Sequence, residues 1–390
     1  MRRHNLLNGL FIIFLGSGLL AQAEDDLRVF GYFQTGFQHV SSDVSKDENT
    51  FNLQQLNLFF QKNISTHWSA FVNFEILNNY SSSRHWGALN LEEAWVKYRY
   101  NKSFTLKLGL SVPTFNYLNE IKNRTPLLPY IIRPLIYETS FGEFLALEEF
   151  VPARAFAQVY GFWPIGGIKL DYALYLGNSP NINNNSEKGQ TGVDTTATFL
   201  VGGRVGIRLA DGQAGVSATY DRTNMFQDAL GHQDLSILLE GRSPRDFEER
   251  PRFRLGVDLS YLWNKFYLES EYVSVVYDDG WDQLEADRRF YYFTLGYHFS
   301  DKLFLYGGYW ETQEEYTIVE DITAGIFGDD IEFTTGEFYV QVPVAGLAYR
   351  LNDRITLKAQ FARPRLKSNT SLFLINDTEN FHSLAVSVFL

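Results

Sequence analysis

The chain contains no cysteine in 390 residues. A disulfide framework is thereby excluded, and so is a lipid-modified N-terminal cysteine. Beyond residue 23 no run approaches the roughly 20 apolar residues that a membrane-crossing helix needs, so a helical membrane protein is excluded too. Basic residues are scarce: 34 Lys and Arg stand against 46 Asp and Glu, a formal net charge of -12. Such a balance argues against nucleic acid as a partner. Histidine is also sparse, and His39, His67, His85, His232, His298 and His382 read as scattered single residues without metal-ligand spacing. The acidic stretches at Asp194 and at Asp329, Asp330 and Glu332 do not match the twelve-residue calcium loop. No metal, cofactor or catalytic residue is therefore expected, and the chain does not read as an enzyme.

Aromatics, by contrast, are abundant, with 33 Phe, 23 Tyr and 7 Trp. At the N-terminus Arg2 and Arg3 precede the apolar run "LLNGLFIIFLGSGLL", and Ala21-Gln22-Ala23 follows as a small-x-small cleavage site. This predicts a secretory leader over residues 1–23 and a mature chain, 24–390, forming one domain. Loss of Arg2 and Arg3 leaves 32 basic residues against 46 acidic ones, a net of -14.

The mature chain alternates. In "FTLKLGLSV", Phe104, Leu106, Leu108, Leu110 and Val112 fall on one face, with Lys107 on the other. That is the strand period, because successive side chains point to opposite faces. Sixteen such segments can be read, at about 27–38, 52–62, 67–77, 91–100, 103–112, 154–163, 167–177, 198–210, 213–224, 251–262, 265–277, 289–299, 302–312, 336–350, 354–366 and 380–390. Most are close to the 9–11 residues that a tilted strand needs to cross a bilayer, whereas soluble strands average about 5–6.

The connections alternate as well. Short turns fall at 63–66, 101–102, 164–166, 211–212, 263–264, 300–301 and 351–353, and longer connections at 39–51, 78–90, 113–153, 178–197, 225–250, 278–288, 313–335 and 367–379. An even strand number, with short turns at one end and long loops at the other, predicts an all-β transmembrane antiparallel barrel of the outer membrane, with periplasmic turns and outer loops. Aromatics gather beside the short turns (Trp68, Tyr98, Tyr100, Phe104, Trp163, Trp263, Phe266 and Phe299), as in an interfacial girdle. The last strand, "FHSLAVSVFL", suits closure of a barrel; signals read by the barrel-assembly machinery, an expected partner, usually finish in an aromatic, and here Phe389 is penultimate.

Sixteen strands leave an aqueous interior, where about eight would be filled by their own side chains. The longest connection, 113–153, is rich in Leu, Ile, Phe and Tyr and wants burial, so this third loop is expected to fold into the lumen as a constriction. Its charges are mixed: Glu120, Lys122, Arg124, Arg133, Glu138, Glu143, Glu148 and Glu149. Arg124 and Arg133 stand beside prolines that stiffen the backbone and are the expected solute contacts.

Several segments, in order, resemble the phosphate-selective porins O and P. They are "VFGYFQTGFQ", "NTFNLQQLNLFFQKNISTHWSAFVNFE", "LNLEEAWVKYRY", "FTLKLGLSVPTFNYLNEIKNRTPLL" and "VPARAFAQVYG". The likeness covers about the first 180 residues by motif and the remainder by strand pattern. It implies a sixteen-stranded trimeric outer-membrane channel for anions or small solutes. Where that family commonly carries arginines in the second strand, this chain has Gln54, Gln55 and Asn57.

Alternation assigns Lys97, Arg99, Lys107, Arg154, Lys169, Arg204, Arg208, Arg252, Arg254 and Lys358 to the lumen as a basic arc. Glu75, Glu93, Asp171, Asp221, Asp258, Glu269 and Glu271 share that face. The reading is a porin passing small polar solutes with a modest preference for anions such as phosphate or small carboxylates. Outer-membrane lipid and lipopolysaccharide are the expected surroundings. The alternative is a closed structural or adhesive barrel that acts through its outer loops.

Overall fold

The computed structural model describes residues 27–42, 46–77, 88–121, 124–137, 150–152, 154–179, 198–223, 250–277, 286–321, 331–369 and 376–390. The leader at 1–23, the acids Asp194, Asp329 and Asp330, and the loop charges Lys122, Glu138, Glu143, Glu148 and Glu149 lie outside these residues.

The first nine strands are β1 (Arg28–Ser42), β2 (Glu48–Asn63), β3 (Trp68–Leu77), β4 (Ala88–Arg99), β5 (Thr105–Ser111), β6 (Ala155–Ile165), β7 (Ile168–Gly177), β8 (Leu200–Arg208) and β9 (Gly212–Thr223). The remainder are β10 (Arg250–Trp263), β11 (Phe266–Tyr277), β12 (Ala286–His298), β13 (Leu303–Asp321), β14 (Ile331–Arg350), β15 (Ile355–Ala362), β16 (Arg365–Asn369) and β17 (Asn376–Phe389). Neighbours pair antiparallel throughout, and β1 bonds to both β2 and β17, which closes the sheet. β15 and β16 both lie between β14 and β17. They are two halves of one stave, parted at Arg363-Pro364, where proline offers no N–H to the ladder. The barrel therefore has sixteen staves, as the alternation predicts.

The two faces separate by polarity. Phe253, Leu255, Val257 and Leu259 are exposed outward, while Arg252, Arg254 and Asp258 between them are buried. Girdle rings such as Trp68 and Trp163 are also exposed beside the short turns, Trp68 tilted against Tyr98 at 4.9 Å and Trp163 stacked on Tyr172 at 4.6 Å.

Three departures have local causes. The β13–β14 hairpin runs on through 313–321 and 331–335, a region expected to be loop; pairing continues to Asp321↔Ile331. Thr317, Ile318, Val319, Phe333, Thr334 and Thr335 are strand formers that outweigh the acids beside them. In β4 a bulge places Asn73 opposite Glu93 and Phe74 opposite Leu91, so both Glu92 and Glu93 turn inward. In β5 the register with β6 jumps between Leu108↔Ala157 and Ser111↔Ala155. Alternation breaks there, and Val112, expected to face lipid, is only 5% exposed.

The β5 break rests on Gly109, whose φ of 116° is open to glycine and strained for other residues. A Cβ there would also sit 2.4 Å from the Ala94 carbonyl oxygen. Gly109→Ala should destabilise the barrel by about 2 kcal/mol. Urea titration of the refolded protein checks this; an unchanged midpoint would contradict it.

Candidate functional site

The described part of the 113–153 connection is tied to inward side chains of the wall. Glu271 on β11 accepts the backbone N–H groups of Tyr117 and Leu118 at 2.9 and 2.7 Å and the Tyr137 hydroxyl at 2.6 Å. Its neighbour Glu269 accepts from the Tyr130 hydroxyl at 2.9 Å. On β15, Gln360 accepts from the N–H groups of Ile131 and Ile132 at 2.6 and 2.7 Å and donates to the Ile132 carbonyl. Lys358 donates to the Thr125 and Tyr130 carbonyls. Gln54 donates to the Ile131 carbonyl at 2.6 Å. Burial and the facing carboxylates push the phenols of Tyr130 and Tyr137 well above their ordinary range, so both stay protonated donors.

Behind these bonds the connection presents Phe115, Leu118, Tyr130, Leu135, Ile136 and Phe150 to an apolar inner wall on β11–β15, which includes Val273, Phe290, Trp310, Val342 and Ala362. An apolar patch on an inward face calls for such a cover, because exposing it to water is costly. This part of the inner wall is thus covered, with a cavity of about 770 Å³ left beside it that is lined by Leu128, Glu269, His298 and Thr356.

The other side, across β4–β8, is open and charged. A cavity of about 470 Å³ is lined by Arg99, Lys102, Lys107, Lys169, Arg204 and Arg208, with Glu120 and Asp171 as its only acids among the described lining residues. Arg204 and Arg208 reach Asp171 at 2.8 and 3.1 Å, and Arg204 also holds Asp258 at 2.6 Å. The remaining four cations have no ion pair among the described residues. Register sets Lys97 directly opposite Lys107, and Lys169 opposite Arg208. Like charges so placed repel. Aromatic faces offset part of that cost: Lys97 and Lys107 lie 5.3 and 5.2 Å from the Trp95 ring, and Lys169 lies 5.5 Å from Phe162.

The basic arc anticipated from alternation is divided. Lys97, Arg99, Lys107, Lys169 and Arg208 are on the open side. Arg154 pairs with Glu92 at 3.1 Å. Arg252 and Arg254 both pair with Asp221 in a buried triad. Lys358 is spent on the loop. Arg133, expected to meet solute, is 6% exposed, and Arg124 opens a short 3-10 turn at Thr125–Leu127. Sequence reading missed Lys102, which comes from a turn, and Glu92, which a bulge brings inward; neither position follows from simple alternation. The histidines are not all single. His39 and His382 are paired across β1 and β17, with rings 5.9 Å apart, a register that the sequence does not disclose. No cluster of three or more metal-ligating groups occurs among the described residues.

A search of curated protein sequences returns no match. Solved structures do match in fold. The anion-selective porin from Comamonas acidovorans aligns with a TM-score of 0.60 at 12% identity, over 94% of this chain and all of that one. Salmonella typhi OmpF in complex with daunomycin gives 0.55 at 14%, over 93% and 100%. The trimer form of OmpT, an outer membrane protein of Vibrio cholerae, gives 0.53 at 10%, over 94% and 100%. The sequence profile of the Gram-negative porins matches residues 10–369. With a closed sixteen-stave barrel beneath that match, the chain belongs to the Gram-negative porin family and resides in the outer membrane.

Proposed function

We propose that the barrel is a water-filled diffusion channel for small polar solutes, with a modest preference for anions such as phosphate or small carboxylates. The observation that carries this reading is the pair of like-charge oppositions, Lys97↔Lys107 and Lys169↔Arg208, on the open side of the lumen. A wall kept positive against its own repulsion, next to a narrow low-dielectric passage, attracts anions and turns cations away. The only acid that the described loop residues bring to this passage is Glu120, so the field between them is transverse but unbalanced. The similarity to an anion-selective porin supports the same direction, and the ordered motifs over 29–161 support kinship with the phosphate-selective branch. The trimer form of a fold relative supports a homotrimer. A leader removed near Ala23, delivery to the barrel-assembly machinery and contact with lipopolysaccharide complete the proposal.

The test is charge removal. Lys107→Gln, Lys169→Gln and Arg208→Gln combined should carry the zero-current potential in a KCl gradient to or past zero from the anion side. An unchanged potential would remove these residues from selectivity. A folded barrel without conductance would instead favour the adhesive reading.

A further inference from the structure

Two histidines face one another on the outer wall. In β17, Ser383, Ala385 and Ser387 are buried inward, so His382 and the exposed Leu384 point outward. Register sets His39 of β1 directly opposite His382, and the two rings lie 5.9 Å apart between centroids. Directly opposed residues hold their Cβ atoms about 4.5–5.5 Å apart, close enough for two imidazoles to reach one shared atom. Metal–nitrogen bonds are about 2.0–2.1 Å long, so a gap of this size needs only a small side-chain rotation to be bridged.

Both rings are supported from the flanks. Asn49 of β2, opposite His39, accepts through Oδ1 from the His39 Nδ1 at 3.0 Å. That bond holds the proton on Nδ1 and leaves the Nε2 lone pair free, which is how ligating imidazoles are oriented. On the other flank Phe361 of β15, opposite His382, packs against its ring at 5.0 Å. The row Asn49, His39, His382, Phe361 thus crosses four strands, with the imidazoles at its centre. It lies toward the long loops, since β1 runs only to Ser42 and β17 starts at Asn376, and that end faces the cell exterior. His39 is half-buried and His382 exposed, so an ion can approach from outside.

The surroundings decide the kind of ion. The carboxylates of these strand ends, Glu48, Asp377 and Glu379, lie opposite Val40, Leu366 and Ser42, on the alternate, inner positions. Arg363, an exposed cation, stands two residues beyond Phe361. A hard cation such as calcium wants about six to eight oxygens and finds no negative charge to hold it there. A borderline first-row ion is held by the imidazole nitrogens themselves, copper(II) most tightly of the divalent series.

We infer that His39 and His382 form a two-nitrogen site for a borderline divalent metal ion, copper(II) foremost, with water in the remaining positions. The site is on the outer wall and does not depend on what the lumen conducts.

The test titrates the untagged mature chain, refolded in detergent, with copper(II) and reads the bound ion by electron paramagnetic resonance. Wild type should bind one ion per barrel, with superhyperfine splitting from two imidazole nitrogens. His39→Asn and His382→Asn should each weaken binding on the order of a hundredfold and leave one nitrogen in the splitting, with channel conductance unchanged, whereas Asn49→Ala should weaken it about tenfold. Excess zinc or nickel should displace the copper, and excess calcium should not. Displacement by calcium, or a wild-type spectrum without nitrogen splitting, would overturn the assignment without recourse to any variant. So would wild-type affinity in the double variant His39→Asn/His382→Asn, which would put the ion on another group.

Discussion

Asp221→Ala should destabilise the barrel by about 3–5 kcal/mol, because it takes from two buried arginines, Arg252 and Arg254, the carboxylate that they share. Asp221 is fully buried and holds Arg252 through two bonds, at 2.9 and 2.6 Å, and Arg254 at 3.1 Å. Both arginines are themselves 1% exposed. The sequence brings the three together because Arg252 lies opposite Asp221 in the β9–β10 ladder, with Arg254 two residues on along the same face. A buried ion cluster of this kind contributes little when complete and a great deal when broken, since the cost of desolvation remains while the attraction is lost. Replacing all three residues together by Leu, Met and Met should therefore restore most of the stability that Asp221→Ala removes. Urea titration followed by the heat-modified mobility of the folded barrel on gels measures both. Equal instability of the single and triple variants would show that the triad matters for reasons other than its unpaired charge.

Glu271→Ala should free the 113–153 connection from the wall. Its carboxylate collects two backbone N–H groups and one phenol from a stretch that has no ladder of its own. Removing the acceptor leaves those buried donors unpaired at about 1–3 kcal/mol each, enough to undock that end of the loop from the wall. The expected readout is a larger and noisier single-channel conductance, with the barrel's unfolding midpoint little changed because the ladders are untouched. Glu271→Gln retains a carbonyl that can accept the Tyr117 and Leu118 N–H groups, and should stay close to wild type. Quiet wild-type conductance in the alanine variant would mean that the apolar cluster alone holds the loop.

Much of this architecture is legible in the chain because a bilayer enforces it. Outward positions between the girdles are mostly apolar, and every backbone group must be paired, so the period of two and the alternation of turns with loops appear openly in residues such as 251–262. Reading fails wherever the period is interrupted. Gly109 and Glu92 sit at bulges, and a one-residue slip reverses the faces that follow. Inner charges can be assigned to the lumen one by one, but their partners depend on which strands register brings together. Hence Lys107 and Arg252 look alike in sequence, although one lines the charged cavity along β4–β8 and the other is neutralised in a buried triad. The loop's apolar composition announces burial; which side of the lumen it covers follows from the inward Val273, Phe290 and Trp310, whose location on one arc emerges only once the barrel is closed.

The central claim is that the open passage along β4–β8 conducts and prefers anions. Its most direct test is the zero-current potential of the refolded wild-type channel in a planar bilayer under a tenfold KCl gradient. The account predicts stable conductance steps and a potential displaced toward the chloride equilibrium value. A potential displaced toward that of potassium would contradict it.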